Sequence, residues 1–324
     1  MKLASIEKVV AIFPHPNAEK LEFVQVLGYR CLVTKDTYTV GEWVILIQPD
    51  TVLPDVEWSA LYRKFSKTRV KAMRLRGEWS FGIVEKLSLL PSDIEVVEGK
   101  EVSDLLGITK YEAPQPQTLD AKGYLPYAMP KTDQERYQNL PLDDLFGATI
   151  DVTLKVDGQS FTAYYNQGEF GVCGHSWDYK LESKNDYTAQ IDRYDLARKL
   201  QQFCQENGVN LALRGESYGR GIQSSKLNPY AQKDKGLAFF GVWLLDEHRY
   251  TYRCDRYYFL HVCQALDLPT VPFLETGVVL TPDLIKKYDE DLEQINGETF
   301  EGVVIVGDDF SFKVINKHYD SCRK

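Results

Sequence analysis

The first third of the chain alternates hydrophobic and polar positions in short runs that Gly, Pro, Asn and Asp separate. The runs are KVVAIF, EFVQVLGY, CLVTK, WVILI and FGIVEKL. Alternation with a period of two residues predicts β-strands, and several short strands joined by turn residues predict a small all-β barrel over residues 1–105. Residues 106–125 are rich in Pro, Gly and polar residues and lack periodicity, so we predict a linker there.

Residues 126–324 mix strand-like and helix-like patterns. The strand-like runs are DVTLKVDG, SFTAYYN, EFGVCG, NLALRGE, LAFFGVWLL, EGVVIV and SFKVI. Helical spacing of Ile191, Leu196, Leu200 and Phe203 predicts one helix over DYTAQIDRYDLARKLQQFCQEN, closed by Gly208, and RYYFLHVCQALD and PDLIKKYDEDLEQI predict two more. Strands joined mostly by short turns predict antiparallel sheets flanked by helices, so the predicted fold class is α+β.

Composition narrows the class of protein. The length of 324 residues fits about two domains. The net charge of −9 argues against a protein coated in positive charge, although a local basic stripe remains possible. No apolar run reaches the roughly 18 residues that a membrane span needs, and the N-terminus does not read as a signal peptide. The six cysteines are scattered without zinc spacing, so we expect them to be reduced and the protein to be cytoplasmic, with no membrane partner.

The stretch IDVTLKVDGQSF, residues 150–161, places Lys155 inside a strand-like run, two residues before Asp157-Gly158. One interpretation is a β-hairpin with a solvated lysine, because Asp-Gly is a leading hairpin signal. The other is a nucleophilic lysine. Attack on phosphorus requires a neutral amine, and deprotonating an ordinary lysine at pH 7 costs about 4.6 kcal/mol. That interpretation predicts cations around Lys155 to lower its pKa.

The C-terminal stretch FEGVVIVGDDFSFKVINKHY offers groups that phosphoryl chemistry needs. Glu301 begins an apolar strand, and Lys313 and Lys317 follow the next turn. Carboxylates hold the metal ion that accompanies ATP, and cations stabilise charge on the reacting phosphate. Each of these residues taken alone could equally be a surface charge.

A competing motif lies between them, because GESYG, residues 215–219, fits the G-x-S-x-G nucleophile elbow with Ser217 as nucleophile. That elbow requires a strand, a tight turn and a helix in a parallel sheet. The sequel RGIQSSKLNPYAQKDKG is broken by Pro and Gly and is not helical. Glu216 at a strand end, facing a sugar hydroxyl, fits better. A P-loop is excluded, since no G-x-x-x-x-G-K-[ST] occurs.

The ordered set LKVDG, LRGESYG, LAFFGVWL, EGVVIV and FKVINK resembles the covalent nucleotidyltransferases, which comprise ATP-dependent polynucleotide ligases and mRNA capping enzymes. DNA ligases and capping enzymes carry an OB domain after the last lysine motif, whereas this sequence stops seven residues after Lys317. FPHPNAEKLEFVQVLGY and VKAMRLRGEWSFGIV instead resemble an OB barrel in front. With PKTDQERYQN, this order is similar to ATP-dependent RNA ligases that seal 3′-OH/5′-phosphate nicks.

The resemblance implies an N-terminal OB-like β-barrel over 1–105 that binds nucleic acid, and a nucleotidyltransferase (ATP-grasp-like ligase) domain over 126–324 that carries out adenylyl transfer. It also implies roles for individual residues. Lys155 would take AMP from ATP, Asp157 and Glu301 would hold Mg²⁺ or Mn²⁺ directly or through water, and Glu216 would contact the ribose. Phe240, rather than Phe239, would stack on adenine. The remaining implied nucleotide contacts are Thr153, Leu154 and Gly158 in the pocket, and Arg136, Lys313 and Lys317 at the phosphates.

The sequence departs from the family pattern at three positions. Ile315 stands where related ligases often carry a second lysine, and Lys317 lies two residues further along the chain. His175 stands where an arginine is usual, and Gly241 where an aspartate is common.

The stretch YRKFSKTRVKAMRLR, residues 62–76, interleaves Arg and Lys with Tyr62 and Phe65. It is either a solvated barrel edge or a stripe that follows nucleic-acid phosphates. We expect a monomeric ligase whose partner is nicked RNA or an RNA-containing duplex. Sealing of DNA nicks and a non-catalytic OB-type nucleic-acid-binding protein are the alternatives.

Overall fold

The computed structural model describes residues 2–65, 69–111, 119–223, 225 and 227–322, without the side chains of 320–322. The chain forms two compact units. The first comprises Met1–Gln115 together with Tyr137–Leu140, and the second comprises Pro116–Arg136 together with Pro141–Lys324. Residues 106–125, predicted as a linker, include two short strands, one in each unit, and a stretch at 112–118 that lies outside the described residues.

The first unit is built on a five-stranded antiparallel sheet in the order β3-β2-β1-β4-β8. Its strands are β1 (Ala4–Pro14), β2 (Leu21–Val26), β3 (Tyr29–Thr34), β4 (Trp43–Ile47), β5 (Thr51–Val52), β6 (Met73–Leu75), β7 (Glu78–Ser80), β8 (Ile83–Lys86) and β9 (Thr109–Lys110). The pairs β5–β9 and β6–β7 form small separate ladders. The helices of this unit are α1 (Ala60–Phe65) and α2 (Ser103–Leu106).

Strand β4 shows why the run WVILI has no polar alternation. Ile45 and Ile47 join one hydrophobic cluster, and Val44 and Leu46 join another, all fully buried. Successive side chains of a strand point to opposite faces, so a strand that is covered on both faces is apolar throughout.

The second unit contains two larger antiparallel sheets. A seven-stranded sheet has the order β10-β14-β13-β12-β15-β16-β17, and a four-stranded sheet has the order β18-β11-β21-β22. The strands are β10 (Ala121–Tyr124), β11 (Thr149–Leu154), β12 (Gln159–Asn166), β13 (Glu169–Cys173), β14 (Trp177–Tyr179), β15 (Leu211–Tyr218), β16 (Gly236–Leu244), β17 (Arg249–Tyr250), β18 (Phe273–Val279), β19 (Gln294–Ile295), β20 (Glu298–Thr299), β21 (Gly302–Val306) and β22 (Ser311–Ile315).

The helices of this unit are α3 (Leu142–Leu145), α4 (Asp186–Tyr194), α5 (Leu196–Asn207), α6 (Phe259–Leu266), α7 (Pro282–Lys286) and α8 (Lys317–Cys322). The single helix predicted over 186–207 is two helices, because Asp195 adopts φ 52° and ends α4. The third predicted helix ends early, since α7 continues only as a π-helical turn over Lys287–Asp291 and residues 294–295 form β19. A core that includes Phe161, Leu200 and Val262 joins the seven-stranded sheet to α5 and α6.

The nucleophile elbow at Ser217 is not formed. Ser217 lies within β15, which pairs antiparallel with both β12 and β16, and its side chain is fully buried. The elbow needs a parallel sheet and an exposed hydroxyl at a strand-to-helix turn. The serine hydrolase alternative is therefore wrong.

Candidate active site

Lys155 lies where the chain passes from one sheet to the other. Strand β11 ends at Leu154 in the four-stranded sheet, and β12 begins at Gln159 in the seven-stranded sheet. The segment Lys155–Gly158 is the link between them. The hairpin interpretation of Asp157-Gly158 is therefore wrong, because the two flanking strands do not pair with each other.

Gly158 allows the link to approach the seven-stranded sheet closely. A Cβ atom on Gly158 would lie 2.3 Å from the Ser217 carbonyl oxygen and 2.9 Å from the Glu216 Cγ atom, both nearer than real Cβ contacts allow. The Gly158 N–H donates to Glu216 Oε1 at 3.2 Å. Glycine at this position thus brings the Glu216 carboxylate against the link.

Glu301 holds the Lys155 amine from the four-stranded sheet. The Lys155 Nζ atom donates to Glu301 Oε2 at 2.8 Å, and the Glu301 side chain is only 7% exposed. The backbone N–H of Lys155 donates to the Gly302 carbonyl at 3.0 Å. On the preceding strand, the buried Thr153 hydroxyl donates to the Val304 carbonyl at 3.3 Å, which ties β11 to β21.

The charges around Lys155 differ from the expectation of neighbouring cations. Burial lowers the pKa of Lys155, but the Glu301, Glu216 and Asp157 carboxylates raise it, and the net pKa lies above its ordinary value. The prediction that cations would lower the pKa of this amine was wrong for its immediate surroundings. The lysine is held charged by carboxylates that come from three separate segments of the chain.

Glu216 shows the same crowding of negative charge. Burial, followed by the nearby Glu301 and Asp157 carboxylates, raises the pKa of Glu216 to about 8, although Lys155 and the Gly158 N–H act in the opposite direction. The Glu301, Glu216 and Asp157 carboxylates thus crowd together around Lys155. Such a site favours a further positive charge or a proton.

Asp157 is fixed at both its side chain and its backbone. The Tyr319 hydroxyl, from α8, donates to Asp157 Oδ2 at 2.5 Å, and both side chains are buried. The Asn228 side-chain amide donates to the Asp157 carbonyl at 2.8 Å. Sequence patterns did not predict either partner. Tyr319 lies only six residues after Lys313, but no spacing rule connects it to a turn 162 residues earlier.

A cavity of about 200 Å³ opens beside these groups. Its wall combines the link with apolar and aromatic residues from later strands and loops. Its lining includes Leu154, Lys155, Asp157, Asn228, Glu301 and Tyr319. Leu154 also donates its backbone N–H to the Pro272 carbonyl at 2.8 Å, which fixes the strand end at the cavity edge.

Phe240 differs from Phe239 in exposure because strand β16 carries a β-bulge. Gly215 pairs with Phe239 and Arg214 pairs with Gly241, so Phe240 has no partner on β15. Phe239 is fully buried with its ring against Phe161, whereas Phe240 is half-buried at the rim of the core. A bulge changes the direction of one side chain, and Phe240 is the ring of this pair that remains partly accessible.

The predicted phosphate contacts fall into two groups. Arg136 and Lys313 lie side by side in an isolated β-bridge, and the Lys313 N–H donates to the Glu135 carbonyl at 2.8 Å. Arg136 is only 4% exposed. These two basic residues therefore come together from segments 177 residues apart, as a shared role at phosphates requires.

Lys317, by contrast, begins α8 and pairs with acidic residues of the π-helical turn. Its Nζ atom lies 2.7 Å from Asp289 Oδ2 and 2.7 Å from Glu290 Oε2. Burial lowers the pKa of Lys317, but these two carboxylates raise it, and the net pKa is above its ordinary value. The pairing holds α8, and with it Tyr319, against the turn. His175 lies half-buried between β13 and β14.

The carboxylates beside Lys155 fit a metal ion that substrate phosphates and waters help to bind. Within the described ranges, no group of three or more His, Cys, Asp or Glu side chains is placed to hold a metal by itself. Asp157 and Glu301 nevertheless supply carboxylates in a region of surplus negative charge. Mg²⁺ is commonly bound by one or two carboxylates together with waters and substrate phosphates, so these residues fit such an ion.

Comparisons with known proteins decide the family. A family model described as RNA ligase matches residues 148–315, and a model of an OB-fold domain matches residues 3–87. The chain belongs to the RNA ligase family. No curated protein in the comparison matches it. The prediction of an RNA ligase with an OB domain ahead of its catalytic domain is confirmed.

Solved structures extend the likeness over both units. A variant of Naegleria gruberi RNA ligase with ATP and Mn is 28% identical at a TM-score of 0.84, and the match covers 98% of each chain. A second variant, with AMP and Mn, is 27% identical at a TM-score of 0.84 with the same coverage. The Naegleria gruberi enzyme with PPi is 28% identical at a TM-score of 0.83, again over 98% of each chain. The predicted α+β fold, with antiparallel sheets flanked by helices, is likewise confirmed. In the described part of this RNA ligase, every helix is too short or too polar to cross a bilayer.

Proposed function

We propose that this RNA ligase uses ATP to seal 3′-OH/5′-phosphate nicks, with Lys155 as the residue that carries AMP. One observation carries the assignment of the lysine: the Lys155 amine lies at the crossing between two sheets, held by Glu301 and lining a cavity. The Naegleria gruberi structures with ATP, AMP, PPi and Mn support the choice of nucleotide and metal.

The reaction proceeds in three balanced steps. In the first, Lys155 loses a proton and its nitrogen attacks the α-phosphorus of ATP, so that a P–N bond forms, a P–O bond breaks and pyrophosphate leaves. In the second, an oxygen of the RNA 5′-phosphate attacks the same phosphorus, so that a phosphoanhydride P–O bond forms, the P–N bond breaks and the lysine leaves and takes up a proton. In the third, the 3′-OH loses its proton and attacks the phosphorus of the RNA 5′-phosphate, so that the P–O bond of the phosphodiester forms, the phosphoanhydride bond breaks and AMP leaves.

The surrounding residues orient the reacting groups and neutralise the charge on their phosphates. Asp157 and Glu301 would hold Mg²⁺ or Mn²⁺. When bound, the ion supplies charge that offsets the carboxylates and polarises the phosphate. Glu216 faces the link as a candidate acceptor for the ribose. Arg136 and Lys313 provide positive charge for phosphate oxygens, where fixed cations stabilise the charge that develops during transfer.

Four further residues complete the proposed nucleotide pocket. We assign Thr153, Leu154 and Gly158 to the wall of the nucleotide pocket and Phe240 to stacking on adenine. Lys317 is a weaker candidate for phosphate binding, because two carboxylates already compensate its charge.

Covalent attachment of AMP to the protein tests the assignment of Lys155. The full-length chain is incubated with ATP labelled at the α-phosphate and with Mg²⁺ or Mn²⁺, then separated under denaturing conditions. Wild type should carry an acid-labile label, and Lys155→Ala should carry none. Lys122→Ala is the matched control, since Lys122 is an exposed lysine on β10 paired with Glu169. Label on Lys155→Ala as strong as on wild type would refute the assignment.

A panel of nicked duplexes tests the substrate. Each nick is built with RNA or DNA at the 3′-OH end, and product is scored after denaturation. We expect sealing when the 3′-OH end is RNA. Efficient sealing only of all-DNA nicks would contradict the proposal and favour the DNA alternative. The monomeric state and the cytoplasmic location stay predictions, the first of which light scattering on the purified chain would check.

A further inference from the structure

The first unit carries a cluster of arginines whose charge no described carboxylate compensates. Four other basic residues of this unit are paired with acidic ones: Arg63 with Asp55, Arg69 with Asp50, Lys86 with Glu42 and Lys100 with Glu95. Arg30, Arg74 and Arg76, in contrast, form no ion pair with any residue that the structure describes. In a chain of net charge −9, arginines left uncompensated at one place need a reason.

Aromatic rings hold two of these arginines in place. The Arg30 guanidinium lies 4.7 Å from the centre of the Phe23 ring and 5.8 Å from that of Phe13. The Arg74 guanidinium lies 5.7 Å from the centre of the Trp79 ring across the β6–β7 hairpin. The Arg74 Nε–H also donates to the Gly77 carbonyl at 3.1 Å. Stacking on an aromatic ring restrains the planar guanidinium, and the remaining N–H groups stay available to donate.

The two stacked arginines belong to one continuous surface. His15 stacks on the same Phe23 ring at 5.3 Å, and its Nε2 atom lies 3.2 Å from the Leu75 carbonyl of β6. At the tip of the hairpin, the Asn17 side-chain amide donates to the Arg76 carbonyl at 2.9 Å. The β1–β2 loop therefore fixes the β6–β7 hairpin beside the outer face of β1 and β2, over which Arg30 lies.

One apolar ring of this surface remains open to solvent. Phe13 is 40% exposed, whereas Phe23, which lies opposite it on β2, is fully buried. We name the set of Phe13, Arg30, Arg74, Arg76 and Trp79 the arginine–aromatic face. Exposed rings beside arginines match what single-stranded or unpaired nucleotides bind, since bases stack on aromatic side chains and arginines contact phosphates through paired N–H groups.

We propose that the arginine–aromatic face binds the RNA substrate, with Arg30, Arg74 and Arg76 contacting phosphates and Phe13 stacking on a base. The proposal rests on the proposed function, since it takes the bound polynucleotide to be the strand that the enzyme seals. The proposal also divides residues 62–76 between the two interpretations of this stretch, a solvated barrel edge and a phosphate-binding stripe. Arg63 and Arg69 are paired with Asp55 and Asp50, so the proposal assigns RNA binding to the end of the stretch, at the β6–β7 hairpin.

Binding is measured on the full-length chain without ATP, so that no AMP transfer occurs. A fluorescein-labelled nicked RNA duplex is titrated by anisotropy at several KCl concentrations between 50 and 200 mM. Arg30→Ala and Arg74→Ala should each weaken binding about fivefold or more and reduce the slope of log K against log[KCl] by about one, as for a lost phosphate contact. Phe13→Ala should weaken binding about fivefold or more without changing the slope.

Arg63→Ala is the matched control, because it removes an arginine of the same unit that Asp55 already compensates. It should bind with wild-type affinity and slope. Thermal unfolding of each variant shows whether it folds. If Arg30→Ala fails to fold, Arg74→Ala still tests the proposal, because Arg74 is exposed on a hairpin. Wild-type affinity and slope in Arg30→Ala, Arg74→Ala and Phe13→Ala together would overturn the proposal. Failure of wild type to attach AMP would instead refute the proposed function and leave this binding test intact.

Discussion

Replacing Tyr319 with Phe tests how strongly helix α8 holds the Asp157 carboxylate of the link Lys155–Gly158. The change removes one hydroxyl and keeps the ring, which is 3% exposed. The lost bond is the donation to Asp157 Oδ2 at 2.5 Å, between buried partners. A hydrogen bond to a charged group contributes about 1.5–3 kcal/mol net. We therefore expect Tyr319→Phe to lower the free energy of unfolding by that amount.

For a unit of this size, each kcal/mol shifts the melting temperature by about 2–4 °C. The variant should thus melt roughly 3–12 °C below wild type by differential scanning calorimetry. If the same bond also orients Asp157 during AMP transfer, attachment of AMP to Lys155 should slow by about tenfold to a hundredfold. Single-turnover labelling measures that rate independently of stability.

Tyr124→Phe is the control for the loss of a phenolic hydroxyl, because Tyr124 is 74% exposed and keeps its stacking on Trp177. Its free energy of unfolding should change by less than about 0.5 kcal/mol. The reasoning would be refuted if Tyr319→Phe melted with the control and labelled at the wild-type rate. A slower rate without a lower melting temperature would show that the bond positions Asp157 but does not stabilise the fold.

Three further predictions concern charge and backbone. Burial raises the pKa of Glu7 above its ordinary value of 4.5, so between those two values the folded chain binds more protons than the unfolded chain. The Glu7 carboxyl therefore lowers the free energy of unfolding as pH rises. We expect Glu7→Gln to gain more stability at pH 7.5 than at pH 4, as measured by urea titration. Gly158→Ala places a Cβ atom 2.3 Å from the Ser217 carbonyl oxygen and should lose AMP attachment. Gly123→Ala, in β10 with nothing within 4 Å and no left-handed backbone, should keep it. Lys317→Ala leaves buried Asp289 without its cation and should cost about 3 kcal/mol of unfolding free energy; loss of sealing at unchanged stability would instead favour a phosphate contact.

Local patterns predicted the elements of this fold better than their connections. Alternation indicated β11 and β12 on either side of Lys155, but Asp-Gly equally fits a hairpin. Which strands pair depends on residues far along the chain, since β11 lies between β18 and β21. A helix boundary was missed for a local reason, because Asp195 adopts a left-handed conformation that few residue types signal.

Residue types in the candidate site could be predicted, but their electrostatic environment could not. The ordered motifs indicated Lys155, Asp157, Glu216 and Glu301 as a set, because each motif is local in sequence. The sign of the pKa shift of Lys155 depends on distances between those motifs, which no spacing rule gives. The same limit applies to Tyr319 and to the basic stretch 62–76, where distant carboxylates decide which arginines stay uncompensated.

The position of Lys155 at a crossing makes its amine sensitive to both sheets at once. Its backbone N–H is bonded to Gly302 of the four-stranded sheet, and three residues later the Gly158 N–H is bonded to Glu216 of the seven-stranded sheet. Glu301 and Glu216 therefore reach the amine from opposite sheets. A movement of one sheet against the other would change the charge around the lysine as well as its position. A lysine in a hairpin of a single sheet would lack this coupling, since both of its neighbouring carboxylates would move with it.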